Sequence, residues 1–132
     1  MVNHTILLVE DNEDDVFLMR RALDEARVTA GLQIVEDGQQ AVDYLSGAGK
    51  YSNRSQYPLP KLVFLDLKLP LKSGHEVLTW IREQPDFESL VVIVLTSSDQ
   101  PSDIRISYRL GANSYLVKPP PPERWSISFA IS

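Results

Sequence analysis

The chain has 132 residues, of which 43% are hydrophobic and 23% are charged. This length fits one domain, and this composition is typical of a soluble globular protein, so disordered and fibrous classes are excluded. Eighteen acidic against thirteen basic residues give a formal net charge of −5, which argues against a nucleic-acid-binding protein. The lack of cysteine excludes disulfides and thiolate metal sites. No apolar run is long enough to span a membrane and no secretion signal is visible, so we expect a cytoplasmic protein.

Five short apolar runs predict the strands of a parallel sheet. The strongest of these runs are continuously apolar, which is typical of strands covered on both faces rather than on one. In chain order, the predicted strands are Ile6–Val9, Leu32–Val35, Leu62–Leu65, Val91–Leu95 and Ser114–Val117.

Helical periodicity between these runs predicts a helix after each of the first four strands. The first helix follows an N-cap at Asn12, and the second follows a turn at Asp37-Gly38. The third begins at Gly74, and the fourth ends at Gly111. The connection 47–60 is unusually long and is expected to run over the surface. The alternation of strand and helix favours an open α/β sheet with right-handed crossovers.

Polar side chains stand directly after four of the predicted strands. Because ligands bind outside the carboxyl ends of parallel strands, we expect these side chains to lie close together. They are Glu10 and Asp11 after the first strand, Asp66 after the third, Thr96 after the fourth and Lys118 after the fifth. Crowded carboxylates repel each other unless they take up protons or a cation, and Mg2+ prefers oxygen ligands. The sequence therefore predicts a divalent metal site at this edge of the sheet.

Residues next to these side chains argue against two other kinds of site, a nucleotide-binding loop and a phosphatase centre. The segment Glu10–Asp15 is acidic and contains no glycine, so neither a dinucleotide-binding motif nor a P-loop follows the first strand. We assign its last part, Glu13–Asp15, to the start of the first helix, where acidic residues are stabilised by the helix dipole, and leave it out of the site. The segment Asp66–Lys68 lacks the second acid of haloacid-dehalogenase-type phosphatases.

Taken in order, these segments resemble the receiver domain of two-component response regulators. The resemblance covers Thr5 to about Pro120, and the opening Asn12–Asp15 and the long connection are similar to single-domain response regulators that serve cyanobacterial-type phytochrome kinases. It implies a flavodoxin-like, doubly wound, five-stranded parallel sheet with the strand order 2-1-3-4-5. The segments that carry it are Leu8–Asp11, Leu65–Pro70 with Gly74, Leu95–Ser97, Gly111–Tyr115 and Lys118-Pro119.

The resemblance implies a metal site with four contributing residues. Asp11 would bind Mg2+ directly, Glu10 would act largely through a coordinated water, and Asp66 would also belong to the metal site. The backbone carbonyl of Lys68 would supply another ligand. Mn2+ or Ca2+ would be able to substitute for Mg2+.

The resemblance also implies a phosphorylation site with a conformational switch. Asp66 would be the phosphoacceptor, Thr96 would donate its hydroxyl to the phosphoryl group, and Lys118 would pair with a phosphoryl oxygen. Tyr115 would change rotamer on activation. The Lys118-Pro119 peptide bond is expected to be cis.

In function, the resemblance implies a signalling switch rather than a metabolic enzyme. The protein would accept a phosphoryl group on Asp66 from a sensor histidine kinase, with a phytochrome as the preferred donor, and would lose it by slow autodephosphorylation. Two alternatives stay open at this point. One is a receiver-like interaction module that works without phosphate, and the other is a small aspartyl phosphatase.

The carboxyl-terminal residues depart from the family pattern. We expect residues 1–120 to form the receiver domain and 121–132 to form an atypical tail, with no separate output domain. The run Pro119–Pro122 disfavours a helix start, and apolar residues alternate from Trp125 to Ile131. An extended arm is therefore expected in place of the fifth helix, with a short helix as the alternative. Such an arm, together with the fourth helix and fifth strand, is expected to support a homodimer.

Overall fold

A computed structural model describes residues 4–118, which form a parallel sheet flanked by helices. The strands are β1 Thr5–Val9, β2 Gly31–Val35, β3 Leu62–Leu65, β4 Val91–Thr96 and β5 Ser114–Val117. The helices are α1 Glu13–Glu25, α2 Gly38–Ser46, α3 Gly74–Glu83 and α4 Pro101–Arg109. The strand order β2-β1-β3-β4-β5 confirms the predicted fold class. Among the described helices, none is long and apolar enough to cross a membrane.

Both faces of the sheet are covered by apolar side chains, which explains the continuously apolar strands. Side chains alternate between the two faces of a strand, so neighbouring residues enter different layers. Leu7 packs in one layer with residues of α2 and α3 such as Val77. Ile6 packs in the other layer with Met19 and Leu23 of α1. The sheet is therefore a rigid platform for the residues that follow its strands.

The register of the strands brings their carboxyl ends to one edge. Val9, the last residue of β1, is paired with Leu65, the last residue of β3. Leu65 is paired with Val94 of β4, and Thr96 at the end of β4 is paired with Val117 at the end of β5. Residues directly after β1, β3 and β5 therefore emerge on the same side of the molecule.

Local signals fix the ends of the helices. The side chains of Asn12 and Asp37 cap the N-termini of α1 and α2. The predicted turn at Asp37-Gly38 is thus the start of α2, in which Gly38 is the first helical residue. A Cβ on Gly38 would lie 2.1 Å from the carbonyl oxygen of Lys72, so glycine is required by this close approach. Gly111, with φ of +107°, follows the end of α4 as predicted.

The long connection 47–60 runs over the surface as predicted, and it packs against α2. The rings of Tyr51 and Tyr57 pack on each other and on Tyr44, with centroid separations of 5.0–6.0 Å. The guanidinium of Arg54 donates to the carbonyl oxygens of Tyr44 at 2.8 Å and Leu45 at 3.0 Å. These bonds satisfy carbonyls at the C-terminal end of α2 and fix the path of the chain into β3.

Three predictions lie outside the described residues 4–118. The extended arm at 121–132, with its short-helix alternative, is one of them. The second is the cis bond at Lys118-Pro119, because Pro119 is outside the described range. The division into a domain 1–120 and a tail 121–132 likewise stays a prediction.

We predict that Gly74→Ala destabilises the protein because α3 begins against the backbone of Asp66. An added Cβ would lie 2.2 Å from the Asp66 carbonyl oxygen and 2.7 Å from the Leu67 Cα. Alanine favours a helix over glycine by about 1 kcal/mol, but a clash with backbone cannot be relieved by a rotamer change. The free energy of unfolding, measured by urea denaturation, should fall by about 1–3 kcal/mol.

The matched control for this change is Gly31→Ala in β2, where nothing lies within 4 Å of the added Cβ. This variant should keep the free energy of unfolding within about 0.5 kcal/mol of the parent, or raise it. Equal stability of the two variants would contradict the close packing of α3 against the turn after β3.

Candidate functional site

The structure brings together three carboxylates that the sequence placed at strand ends. Glu10 and Asp11 follow β1, Asp66 follows β3, and carboxylate oxygens of all three lie within 4.8 Å of one another. Glu10 and Asp66 are buried, whereas Asp11 is exposed. The backbone N–H groups of Glu10 and Asp66 donate to Val35 at 3.0 Å and Val9 at 3.2 Å, so the strands themselves set these positions.

The ammonium of Lys118 contacts two of these carboxylates and also Asp15. Its Nζ donates to Asp66 Oδ2 at 3.0 Å, to Asp15 Oδ2 at 2.9 Å and to Glu10 Oε1. The backbone N–H of Lys118 donates to the carbonyl oxygen of Thr96 at 2.8 Å, which continues the pairing of β5 with β4. An ammonium has three N–H donors, so these three carboxylates occupy all of them.

Burial and neighbouring charge shift the protonation of two groups in the site. Burial raises the pKa of Glu10 to about 7; the hydrogen bond from Lys118 opposes this rise, and the charge of Asp66 adds to it. Burial by itself would lower the pKa of Lys118, but hydrogen bonds to Glu10 and Asp15 and the charge of Asp66 raise it. Lys118 therefore carries its charge at neutral pH, and its ammonium opposes the effect of burial on Glu10.

The carboxylate group has the chemistry that a hard divalent cation requires. Glu10, Asp11 and Asp66 offer oxygen ligands from neighbouring strand ends, at separations that one ion can bridge. The turn after Asp66 is tight, because the Lys68 N–H donates to Asp66 Oδ1 at 3.3 Å. Lys68 is thus held beside the carboxylates by its backbone, while its side chain is exposed.

Thr96 and Tyr115 lie on the neighbouring strands β4 and β5. Thr96 is completely buried, and its hydroxyl has no hydrogen-bond partner within residues 4–118. A buried hydroxyl of this kind is a ready donor for a group that enters the site. Tyr115 is buried and donates from its hydroxyl to the Ser98 carbonyl oxygen at 2.8 Å. The Ser98 hydroxyl in turn donates to Asp103 of α4 at 2.6 Å, which links β5 to the start of α4.

Asp15, assigned from the sequence only to the start of the first helix, contacts Lys118. Its N–H donates to the capping side chain of Asn12 at 3.1 Å, while its own carboxylate contacts Lys118. Glu13 and Asp14, in the same helical turn, are exposed. Helical spacing from Asp11 does not predict this contact, because Asp11 precedes the N-cap Asn12 and is not part of α1.

Comparisons with known proteins agree with this geometry. Response regulator Rcp1 of Synechocystis sp. is 42% identical over 113 residues, which are 86% of this chain and 75% of Rcp1. The crystal structure of the phosphorylated cyanobacterial phytochrome response regulator RcpA is 37% identical, with a TM-score of 0.84 over 98% of this chain and 91% of RcpA. The Mn2+-bound form of Rcp1 gives a TM-score of 0.83 at 37% identity, over 97% of this chain and 91% of that one.

The family model for the response regulator receiver domain matches residues 6–126, which is most of the chain. The strand order and the acidic edge of the sheet are those that the resemblance implied. The proteins similar to this chain include the cyanobacterial phytochrome response regulator RcpA. The chain therefore belongs to the response regulator receiver domain family, whose members generally act as signalling switches.

Proposed function

We propose that this protein is a response regulator in which Asp66 accepts a phosphoryl group from a sensor histidine kinase. The observation that carries this proposal is the environment of the Asp66 carboxylate. The carboxylate is buried, and its Oδ2 lies 3.0 Å from the Lys118 ammonium. Carboxylate oxygens of Asp66, Glu10 and Asp11 lie within 4.8 Å of one another. A buried nucleophile beside a fixed cation and further oxygen ligands is suited to phosphoryl transfer.

In the proposed reaction, a carboxylate oxygen of Asp66 attacks the phosphorus of a phosphohistidine. The new O–P bond forms as the P–N bond breaks, and the product is an acyl phosphate. The ammonium of Lys118, already at Asp66, is placed to contact a phosphoryl oxygen. The hydroxyl of Thr96, which lacks a partner within the described residues, donates to another.

Glu10, Asp11 and Asp66 fit a divalent cation, and we propose that they hold Mg2+ together with the backbone carbonyl of Lys68. Mn2+ or Ca2+ would be able to take its place, because both accept oxygen ligands. The Mn2+-bound structure of Rcp1, a relative of similar fold, supports this proposal. When bound, the ion supplies positive charge against the oxygens of the transferring phosphoryl group.

The signal is proposed to leave the site through Thr96 and Tyr115. A phosphoryl group on Asp66 would draw the Thr96 hydroxyl towards it and favour the buried orientation of Tyr115. That orientation is tied to α4 through Ser98 and Asp103. Phosphorylation would thereby bias the surface formed by α4 and β5, with a coupling of about 1–3 kcal/mol as is usual for such switches.

The proposed donor is a phytochrome-type histidine kinase. RcpA is described as a cyanobacterial phytochrome response regulator, and this chain aligns with it over 98% of its own length. That likeness supports the same class of donor here. Neither a nucleic acid nor a membrane is proposed as a partner, since the chain is acidic overall.

We predict that the protein gains one phosphoryl group when it is incubated with acetyl phosphate and Mg2+. Asp66→Asn should abolish the gain, because the amide is not a nucleophilic carboxylate. Asp86→Asn, which alters an exposed acid between α3 and β4, should leave the gain of one phosphoryl group intact. Intact-mass spectrometry measures the outcome. A wild-type protein that gains nothing would favour an interaction module without phosphate, and turnover of unrelated phosphate esters would favour a phosphatase.

We predict that Mg2+ stabilises the folded protein through Asp11. A cation that binds only the folded state, at about 100 times its Kd, should add about 2.7 kcal/mol to the free energy of unfolding. Asp11→Asn should abolish this gain. In the absence of divalent cations the same variant should be more stable than the parent, because one of three mutually repelling carboxylates is removed.

Thermal denaturation with and without Mg2+ measures both effects. The control is Asp14→Asn, which removes a charge from an exposed position on α1 and should keep the full Mg2+ response. A response that survives in Asp11→Asn would contradict the proposed ligand set.

We further propose that the protein forms a homodimer through α4 and β5, with the tail 121–132 contributing to the contact. Among residues 4–118, Ile106 on α4 and Val117 on β5 are 39% and 38% exposed, so both apolar side chains are accessible to a second copy of the chain. A switch that acts on this surface would then change the contact between two copies of the chain.

We predict that Ile106→Asp shifts the protein towards monomer, because it places a charge in the proposed contact. Light scattering in the presence of acetyl phosphate and Mg2+ gives the molar mass. Phe17→Asp is the matched control, since Phe17 is 62% exposed but lies on α1. The same mass for both variants, or a monomeric parent, would contradict the proposed interface.

A further inference from the structure

Lys118 contacts the carboxylate of Asp15, which is neither a ligand in the proposed metal site nor the proposed phosphoacceptor. Asp15 Oδ2 lies 2.9 Å from Lys118 Nζ, as close as Asp66 Oδ2 at 3.0 Å. Asp15 is on α1, whereas Glu10 and Asp66 follow β1 and β3. The ammonium is therefore held from a helix as well as from the sheet.

The carboxylate of Asp15 is well placed to keep this contact. Its backbone N–H is bonded to the capping side chain of Asn12 at 3.1 Å, which fixes the first turn of α1. The side chain of Asp15 is 31% exposed and that of Lys118 is 13% exposed. A short side chain on a capped helix, paired with a mostly buried ammonium, loses less to side-chain entropy and screening than a surface ion pair does.

The contact gains importance once the proposed phosphoryl transfer takes place. In the structure, Glu10, Asp15 and Asp66 occupy the three N–H donors of Lys118. A phosphoryl group on Asp66 needs one of these donors, and Glu10 and Asp66 both belong to the proposed metal site. Of these three carboxylates, Asp15 is the one outside that site, so it can hold Lys118 while the other two change partners.

We propose that Asp15 is a positioning residue that holds the ammonium of Lys118 beside Asp66 during phosphoryl transfer. It acts through Lys118 and does not itself touch the phosphoryl group. The role rests on the proposed phosphorylation of Asp66. It assigns a function to an acidic residue of α1 that otherwise has only a favourable effect on the helix dipole.

We predict that Asp15→Asn lowers the initial rate of phosphorylation by acetyl phosphate and Mg2+ about five- to tenfold relative to Asp14→Asn. The comparison with Asp14→Asn removes long-range effects, because both variants take one charge from the same turn of α1. Asp15→Glu, which keeps a carboxylate, should recover most of the rate. Intact-mass spectrometry gives the rates.

A second measurement reports on the contact without any reaction. The NMR signal of the Lys118 side-chain ammonium should shift in Asp15→Asn and stay unchanged in Asp14→Asn, because Asp15 accepts from that group whereas Asp14 is exposed. A merely structural contact would also shift this signal, but it would leave the phosphorylation rate of Asp15→Asn equal to that of Asp14→Asn.

The outcomes separate this role from the proposed function. Equal phosphorylation rates for Asp15→Asn and Asp14→Asn would overturn the positioning role, as would an unchanged Lys118 signal in Asp15→Asn. A wild-type protein that gains no phosphoryl group would instead overturn the proposed function. The positioning role would be supported by a lower phosphorylation rate in Asp15→Asn, a recovered rate in Asp15→Glu and a shifted Lys118 signal in Asp15→Asn.

Discussion

The site depends on the attraction between one ammonium and the carboxylates gathered at the ends of β1 and β3. Two unit charges about 4 Å apart interact by about 4 kcal/mol at an effective dielectric constant near 20. Glu10 and Asp66 are buried and their carboxylate oxygens lie within 4.8 Å of each other, so these two groups repel unless a cation is close. Lys118 provides that cation, and its backbone bond to Thr96 ties its position to the end of β4.

The strand order explains why this interaction is possible at all. The sheet places β1 directly beside β3, which brings Asp66 next to Glu10 and Asp11. β4 then lies between β3 and β5, so Lys118 must reach across the end of one strand to contact these acids. The carboxyl edge near the point where strand order reverses is the usual ligand site of such sheets. In the absence of a metal, carboxylates gathered at this edge lower the free energy of unfolding, and such a loss of stability is common at functional sites.

The sequence was sufficient to predict the sheet, because continuous apolar runs mark buried strands directly. Three strand ends extend one residue beyond the predicted bounds: β1 begins at Thr5, β2 begins at Gly31 and β4 ends at Thr96. The residues after the strands could be read off once the strands were placed. Glu10, Asp66 and Lys118 therefore came together in the structure as the sequence predicted.

Other features could not be predicted, because they depend on how separate elements pack. The side of α1 that faces the strand ends is set by Met19 and Leu23 packing on the sheet, and that packing decides that Asp15, rather than Asp14, contacts Lys118. Similarly, the order of the connection 47–60 rests on Arg54, whose bonds to the end of α2 leave no local pattern in the sequence.

The most direct test of the central claim is to locate the phosphoryl group chemically. Borohydride reduces an aspartyl phosphate to homoserine, which peptide mass mapping then assigns to a position in the chain. After phosphorylation with acetyl phosphate and Mg2+, we predict homoserine in place of Asp66. Homoserine at any other aspartate, or none in protein that has gained a phosphoryl group, would contradict Asp66 as the phosphoacceptor.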